Sequence, residues 1–130
     1  MQIILTSVMV ADQEKAHKFY TEILGFKTKL DIPMGEARWL TVVSPKGSES
    51  VELLLEPVGF PPARVYQRAL FESGIPLATF GVEDIHAEYD RLRKLGVAFK
   101  GKPKEAGPVT LAVLEDTCGN LVQLVQKSGE

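Results

Sequence analysis

At 130 residues, with 45% hydrophobic and 25% charged side chains, the chain can bury a core without disulfides or a structural metal, yet is too short for two full-sized domains. Its net charge of −2, from 15 basic and 17 acidic residues with no basic stripe, argues against a nucleic-acid partner, and no apolar run approaches the ~20 residues that span a bilayer. The single cysteine, Cys118, excludes an intrachain disulfide, and the start of the chain lacks the basic region and cleavage site of a signal peptide, so a cytoplasmic location is expected.

Residues 2–10 are β-branched and apolar and read as a strand. Asp12 stands at an N-cap position. Ala16, Phe19, Tyr20, Ile23 and Leu24 then follow the spacing of an amphipathic helix over 13–24, which Gly25 ends. A second strand runs from Phe26 to about Leu30. Pro33 and Gly35 mark 31–36 as a loop. Strands over 38–43 and 51–56 flank the turn Ser44-Pro45-Lys46-Gly47. Pro57, Gly59, Pro61 and Pro62 make 57–63 a linker, and 64–72 forms a short helix stopped by Ser73-Gly74.

The second half repeats this plan. A strand over 76–82 precedes Asp84, which caps a helix bearing Ile85, Tyr89, Leu92 and Leu95 on one face, with Gly96 at its end. A short strand over 97–99, a basic loop over 100–107 and a strand over 109–114 follow. The tight turn Asp116-Thr117-Cys118-Gly119-Asn120 leads into a last strand over 121–125. Val10 and Asp12 recur 72 positions later as Val82 and Asp84, and Leu24-Gly25 recurs as Leu95-Gly96. The chain therefore reads as one α+β domain, 1–130, of two tandem β-α-β-β-β modules, 1–58 and 75–130, joined by a linker with a short helix, 59–74.

These motifs resemble the vicinal oxygen chelate superfamily of glyoxalases, bleomycin-resistance proteins and extradiol dioxygenases. Val10-Ala11-Asp12, Ala16, Phe19-Tyr20 and Ile23-Leu24-Gly25-Phe26 are similar to its opening pattern. Asp116-Thr117-Cys118-Gly119-Asn120 is similar to its closing D-P-D-G-N turn. The resemblance covers nearly the whole chain. It implies a mixed sheet curled into a U-shaped cup, helices outside, a ligand inside, and a homodimer. It does not choose among the isomerases, dioxygenases and drug-binding proteins that share the fold.

The resemblance also implies where metal ligands would stand. Those positions fall on Leu5, Glu52, Leu77 and Gln123. Two leucines cannot coordinate, and one carboxylate with one amide is too little for a hard divalent cation or for zinc. No cofactor is expected, and a divalent metal is disfavoured. His17 and His86, the only histidines, both fall on the helices.

Strand alternation places Glu52, Leu54 and Glu56 on one face and Val51, Leu53 and Leu55 on the other. The apolar set should lie beneath the helices and Glu52 should face the cup. Beside Leu5 and Leu77 its carboxyl would be partly desolvated, its pKa raised, and suited to general acid–base work. Alternatively, Glu52 is a relic that only hydrogen-bonds to Gln123, Thr79 or water. Gln123 could orient a ligand carbonyl. Ser7 and Thr79 share the parity of Leu5 and Leu77. Either Arg38 or Trp39 should point inward, but parity cannot choose. Arg38 would favour an anionic ligand, and Trp39 a flat one. Met34 could form a lid, and Phe60, Tyr66 and Phe71 could close one end.

Three functions fit these residues. One is a metal-independent binding protein for a small organic molecule. The second is a lyase, an isomerase or a dioxygenase-like enzyme in which Glu52 is the base or a remnant metal ligand. The third is a module that has lost its ligand and serves only in dimerisation.

Overall fold

The computed structural model describes residues 1–127. The chain divides into two compact units, Met1–Val65 and Tyr66–Glu130. In the first, β1 (Leu5–Val10) leads to α1 (Gln13–Lys18), a π-helical turn (Phe19–Ile23), β2 (Lys27–Met34), β3 (Ala37–Val43) and β4 (Glu52–Pro57). Helix α2 (Pro61–Glu72) straddles the division. The second unit holds β5 (Ala78–Gly81), α3 (Ile85–Lys94), β6 (Lys104–Ala106), β7 (Val109–Glu115) and β8 (Leu121–Lys127).

Each unit carries a four-stranded mixed sheet, ordered β1-β4-β3-β2 in one and β5-β8-β7-β6 in the other. The first and last strands of each pair in parallel, and the remaining neighbours run antiparallel. The fold is therefore α+β, and the two halves share one topology, as the 72-residue repeat implied.

Local chemistry explains the shared ends of α1 and α3. The Asp12 carboxylate accepts from the Lys15 backbone N–H at 3.0 Å, and Asp84 accepts from that of Ala87 at 3.1 Å. Each bond satisfies one of the donors that a helix start leaves orphaned. Gly25 and Gly96 follow the two helical segments at φ 93° and 91°, a left-handed conformation that glycine adopts without a Cβ clash.

The helix expected over 13–24 changes character at Phe19. From there the backbone widens by one residue, so that the Leu24 N–H donates to the Phe19 carbonyl at 3.0 Å. This keeps Phe19 and Tyr20 buried, with their rings edge to face at 5.8 Å.

Four expected boundaries move. Residues 31–34, read as loop, extend β2, and only Gly35 and Glu36 turn the hairpin. Pro33 fits because β2 is an edge strand, where a missing N–H disrupts no ladder. Helix α2 starts at Pro61, since proline at a first turn removes only an N–H that has no helical partner. Residues 97–99 form no strand of their own; Phe99 makes a single bridge to Leu114. Part of the expected basic loop is instead β6, paired with β7.

The core of each unit lies between sheet and helix. Val8, Val10, Leu40, Val42 and Leu55 are fully buried on the side of the first sheet that carries α1. Such burial contributes roughly 1.5–3 kcal/mol per side chain. Ala112, Leu114, Val122 and Leu124 do the same beneath α3 in the second unit.

Candidate functional site

Strand register decides which side chains share the face of the first sheet opposite α1. Leu5 pairs with Glu52 and Ser7 with Leu54 across the parallel β1–β4 ladder. Thr41 pairs with Leu54 across β3–β4, and Leu30 and Ile32 pair with Thr41 and Trp39 across β2–β3. Paired residues project to the same side of a sheet. Leu5, Ser7, Leu30, Ile32, Trp39, Thr41, Glu52 and Leu54 therefore occupy one face. On it, Thr41, Val43 and Leu54 are buried, whereas Leu5, Leu30, Ile32 and Met34 remain exposed, with Met34 at 58%.

This register settles the choice between Arg38 and Trp39. Trp39 shares the face of Glu52. Arg38 lies on the opposite side, where its guanidinium makes ion pairs with Asp31 at 2.8 Å and with Glu14 of α1 at 3.6 Å. Its Nη2 also lies 3.2 Å from His17 Nδ1. The hydrogen bond from Arg38 holds the Asp31 carboxyl below its ordinary value, and Asp31 raises the guanidinium in turn. Arg38 is thus tied to α1 and β2 rather than turned toward Glu52, and no anionic ligand is inferred from it. His17 Nε2 lies 2.7 Å from Thr28 Oγ1, so His17 is paired locally, and His86 is exposed.

The surroundings of Glu52 are more polar than strand parity suggested. Thr41 Oγ1 donates to Glu52 Oε1 at 2.7 Å, and Lys29 Nζ stands 3.7 Å from Glu52 Oε2. The Glu52 side chain is 21% exposed. Lys29 also donates to the Glu49 carbonyl at 2.7 Å, which fixes the direction of its long stem. Neither Lys29 nor Thr41 was among the expected site residues. Lys29 sits where the β2–β3 register shifts between Thr28 and Leu30, and such a bulge breaks the alternation on which parity depends. Thr41 could be placed only once the hairpin register was known.

Of the apolar set expected beneath the helices, Leu55 is fully buried and Leu53 half-buried. Val51 precedes β4 and is exposed, because the strand begins at Glu52.

In the second unit, Thr79 pairs with Gln123 and Val113 pairs with Gln123 from the other side. Gln123 Nε2 donates to Thr79 Oγ1 at 3.4 Å. Gln126, of opposite parity, accepts from the N–H of Ile85 at the start of α3. Gln123 and Thr79 therefore lie on the face away from α3. Leu77 precedes β5, and its N–H donates to the Leu121 carbonyl at 2.9 Å. The two sheets differ here: Glu52 pairs with Leu5 in the first, whereas Gln123 pairs with Thr79 in the second.

These donors do not fit a divalent cation. Leu5 and Leu77 offer hydrocarbon, and Gln123 offers one amide. One Glu52 oxygen already accepts from Thr41, and the other faces an ammonium. Among the described residues no cluster of three or more His, Cys, Asp or Glu side chains could hold a metal. Among the same residues, no helix is long and apolar enough to cross a membrane.

Cys118 is buried within the closing turn. Asp116 organises that turn, accepting from the backbone N–H groups of Cys118 at 2.7 Å and Asn120 at 3.0 Å, and from Asn120 Nδ2 at 2.8 Å. Gln67 of α2 closes over it, donating to the Cys118 carbonyl and to Asn120 Oδ1. Phe60 and Tyr66 are exposed, and Phe71 lies under the Lys100 ammonium at 5.5 Å, which accounts for it by local packing.

The chain is similar to known proteins. YurT of Bacillus subtilis (strain 168), an uncharacterised protein, is 53% identical over 98% of this chain and 100% of its own. A probable lactoylglutathione lyase of Synechocystis sp. (strain ATCC 27184 / PCC 6803 / Kazusa) is 30% identical over 100% of this chain and 98% of its own. The crystal structure of TnmS3, an antibiotic binding protein from Streptomyces sp. CB03234, superposes with a TM-score of 0.77 at 35% identity, covering 98% of this chain and 97% of that one. The family model described as Glyoxalase/Bleomycin resistance protein/Dioxygenase superfamily matches residues 2–124, and with the repeated β-α-β-β-β topology this places the chain in that superfamily.

Proposed function

We propose that this protein binds a small organic molecule against the face of its first sheet opposite α1, without a metal. The observation that carries the reading is the combination on that face of exposed Leu5, Leu30, Ile32 and Met34 with Trp39 and the Glu52–Thr41 pair. Soluble domains rarely leave such apolar surface open without use, and ligand sites pair apolar walls with a few placed polar groups. Trp39 supplies a flat wall, and Glu52, held by Thr41, supplies orientation. On the second sheet, Thr79 and Gln123 form a second polar pair. Likeness to an antibiotic binding protein supports the same class of ligand. A homodimer in the cytoplasm, with no nucleic-acid partner, belongs to this reading and can be checked by sedimentation.

The test uses the only tryptophan in the chain. Fluorescence of Trp39 is followed while flat aromatic and polyketide-like compounds are titrated. Saturable quenching, weakened by Leu54→Ala, is the expected result. No response to any compound would overturn the reading.

A second reading has one observation in its favour, the 30% identity to a probable lactoylglutathione lyase. Here Glu52 would remove a proton next to a carbonyl. Turnover of a glutathione hemithioacetal, lost in Glu52→Gln, would support it.

A further inference from the structure

We infer that Lys29 and Glu52 together form the polar anchor of the ligand and select a hydroxyl group, so that the preferred ligand is a neutral hydroxylated aromatic, a phenol in chemical class. The inference rests on the binding reading above and names the group that this face recognises. Lys29 Nζ and Glu52 Oε2 stand 3.7 Å apart. That is beyond the ~2.7–3.2 Å of a hydrogen bond between ammonium and carboxylate, so the pair is open rather than closed.

Each partner is held in place from behind. Glu52 Oε1 is taken by Thr41, and Lys29 is tethered by the Glu49 carbonyl. An ammonium carries three donors, and Glu52 Oε2 retains acceptor capacity toward the gap. A hydroxyl group beside the gap accepts a hydrogen bond from Lys29 and donates one from its O–H to Glu52, making two charge-assisted hydrogen bonds at once. An ether in its place can accept but cannot donate. A carboxylate would bring a second negative charge against Glu52. Trp39, two rungs along the same face from Glu52, and exposed Leu30 and Ile32 suit the apolar body of such a ligand.

Equilibrium dialysis of the intact protein tests this with three probes: 2-naphthol, 2-methoxynaphthalene and 2-naphthoate. Wild type is expected to bind 2-naphthol at least about tenfold more tightly than 2-methoxynaphthalene, with 2-naphthoate weakest. In Lys29→Met and in Glu52→Leu, the preference for 2-naphthol over 2-methoxynaphthalene should shrink to within about threefold. Lys29→Met alters a partly exposed side chain, so its result stands even if Glu52→Leu does not fold. Equal binding of naphthol and its methyl ether by wild type, or a preference that survives Lys29→Met, would overturn the anchor and leave the binding reading intact. Failure of wild type to bind any of the three would overturn both.

Discussion

Leu5 and Glu52 are register partners on adjacent parallel strands, so hydrocarbon stands directly beside the Glu52 carboxylate. In a metal-dependent relative the resemblance would put a ligand at both positions. Calorimetric titration with Ni²⁺, Zn²⁺, Mn²⁺ and Fe²⁺ is therefore expected to give no transition at one equivalent, in wild type or in Glu52→Ala. Tight binding that disappears in Glu52→Ala would return the chain to the metal-dependent enzymes.

Trp39 is half-buried on the face opposite α1, paired with Ile32. Trp39→Ala removes a stacking wall and should weaken a flat ligand by about tenfold, since an aromatic contact of this kind contributes about 0.5–1.5 kcal/mol beyond its buried area. Dialysis with an aromatic probe measures the loss. Arg38→Ala, on the other side of the sheet, should leave the same affinity within about threefold.

The Asp31–Arg38 pair makes a pH-dependent contribution to stability. The folded Asp31 carboxyl sits below its ordinary value of 3.8 because Arg38 hydrogen-bonds to the charged form. A lowered folded value means that the unfolded chain takes up the proton first as pH falls. The contribution is therefore present above 3.8 and is lost as pH drops through the folded value. Urea denaturation of wild type and Asp31→Asn should differ most above about pH 5 and converge below the ordinary value. A constant difference across that range would show that the ion pair is not its source.

Gly119 has φ 100°, and a Cβ there would stand 2.9 Å from the amide carbon, nitrogen and oxygen of Gln67. Gly119→Ala must strain the turn and displace a buried side chain that bonds to Cys118 and Asn120. A loss of about 2 kcal/mol or more in chemical denaturation is expected. At Gly59 the φ is not left-handed, and nothing lies within 4 Å of the place a methyl group would take. Gly59→Ala should therefore cost less than about 0.5 kcal/mol.

Sequence alone determined what depends on neighbours along the chain. Asp12 and Asp84 cap helices because a carboxylate reaches an N–H three residues on, and Gly25 and Gly96 end the helical segments because only their own φ matters. The doubled pattern of these signals was enough to predict two modules of one topology. It was also enough to show that Leu5 and Leu77 cannot bind a metal, since residue identity alone excludes it.

Tertiary structure decided what depends on pairing between distant strands. Trp39 rather than Arg38 joins Glu52 because the β3–β4 ladder sets Thr41 against Leu54, and a shift of one residue would have reversed every side chain. Lys29 meets Glu52 only because a bulge in β2 interrupts alternation beside a strand more than twenty residues away. A β-ladder joins residues by hydrogen bonds whose register local propensity does not specify, so the anchor of this face became visible only when the strands were in place.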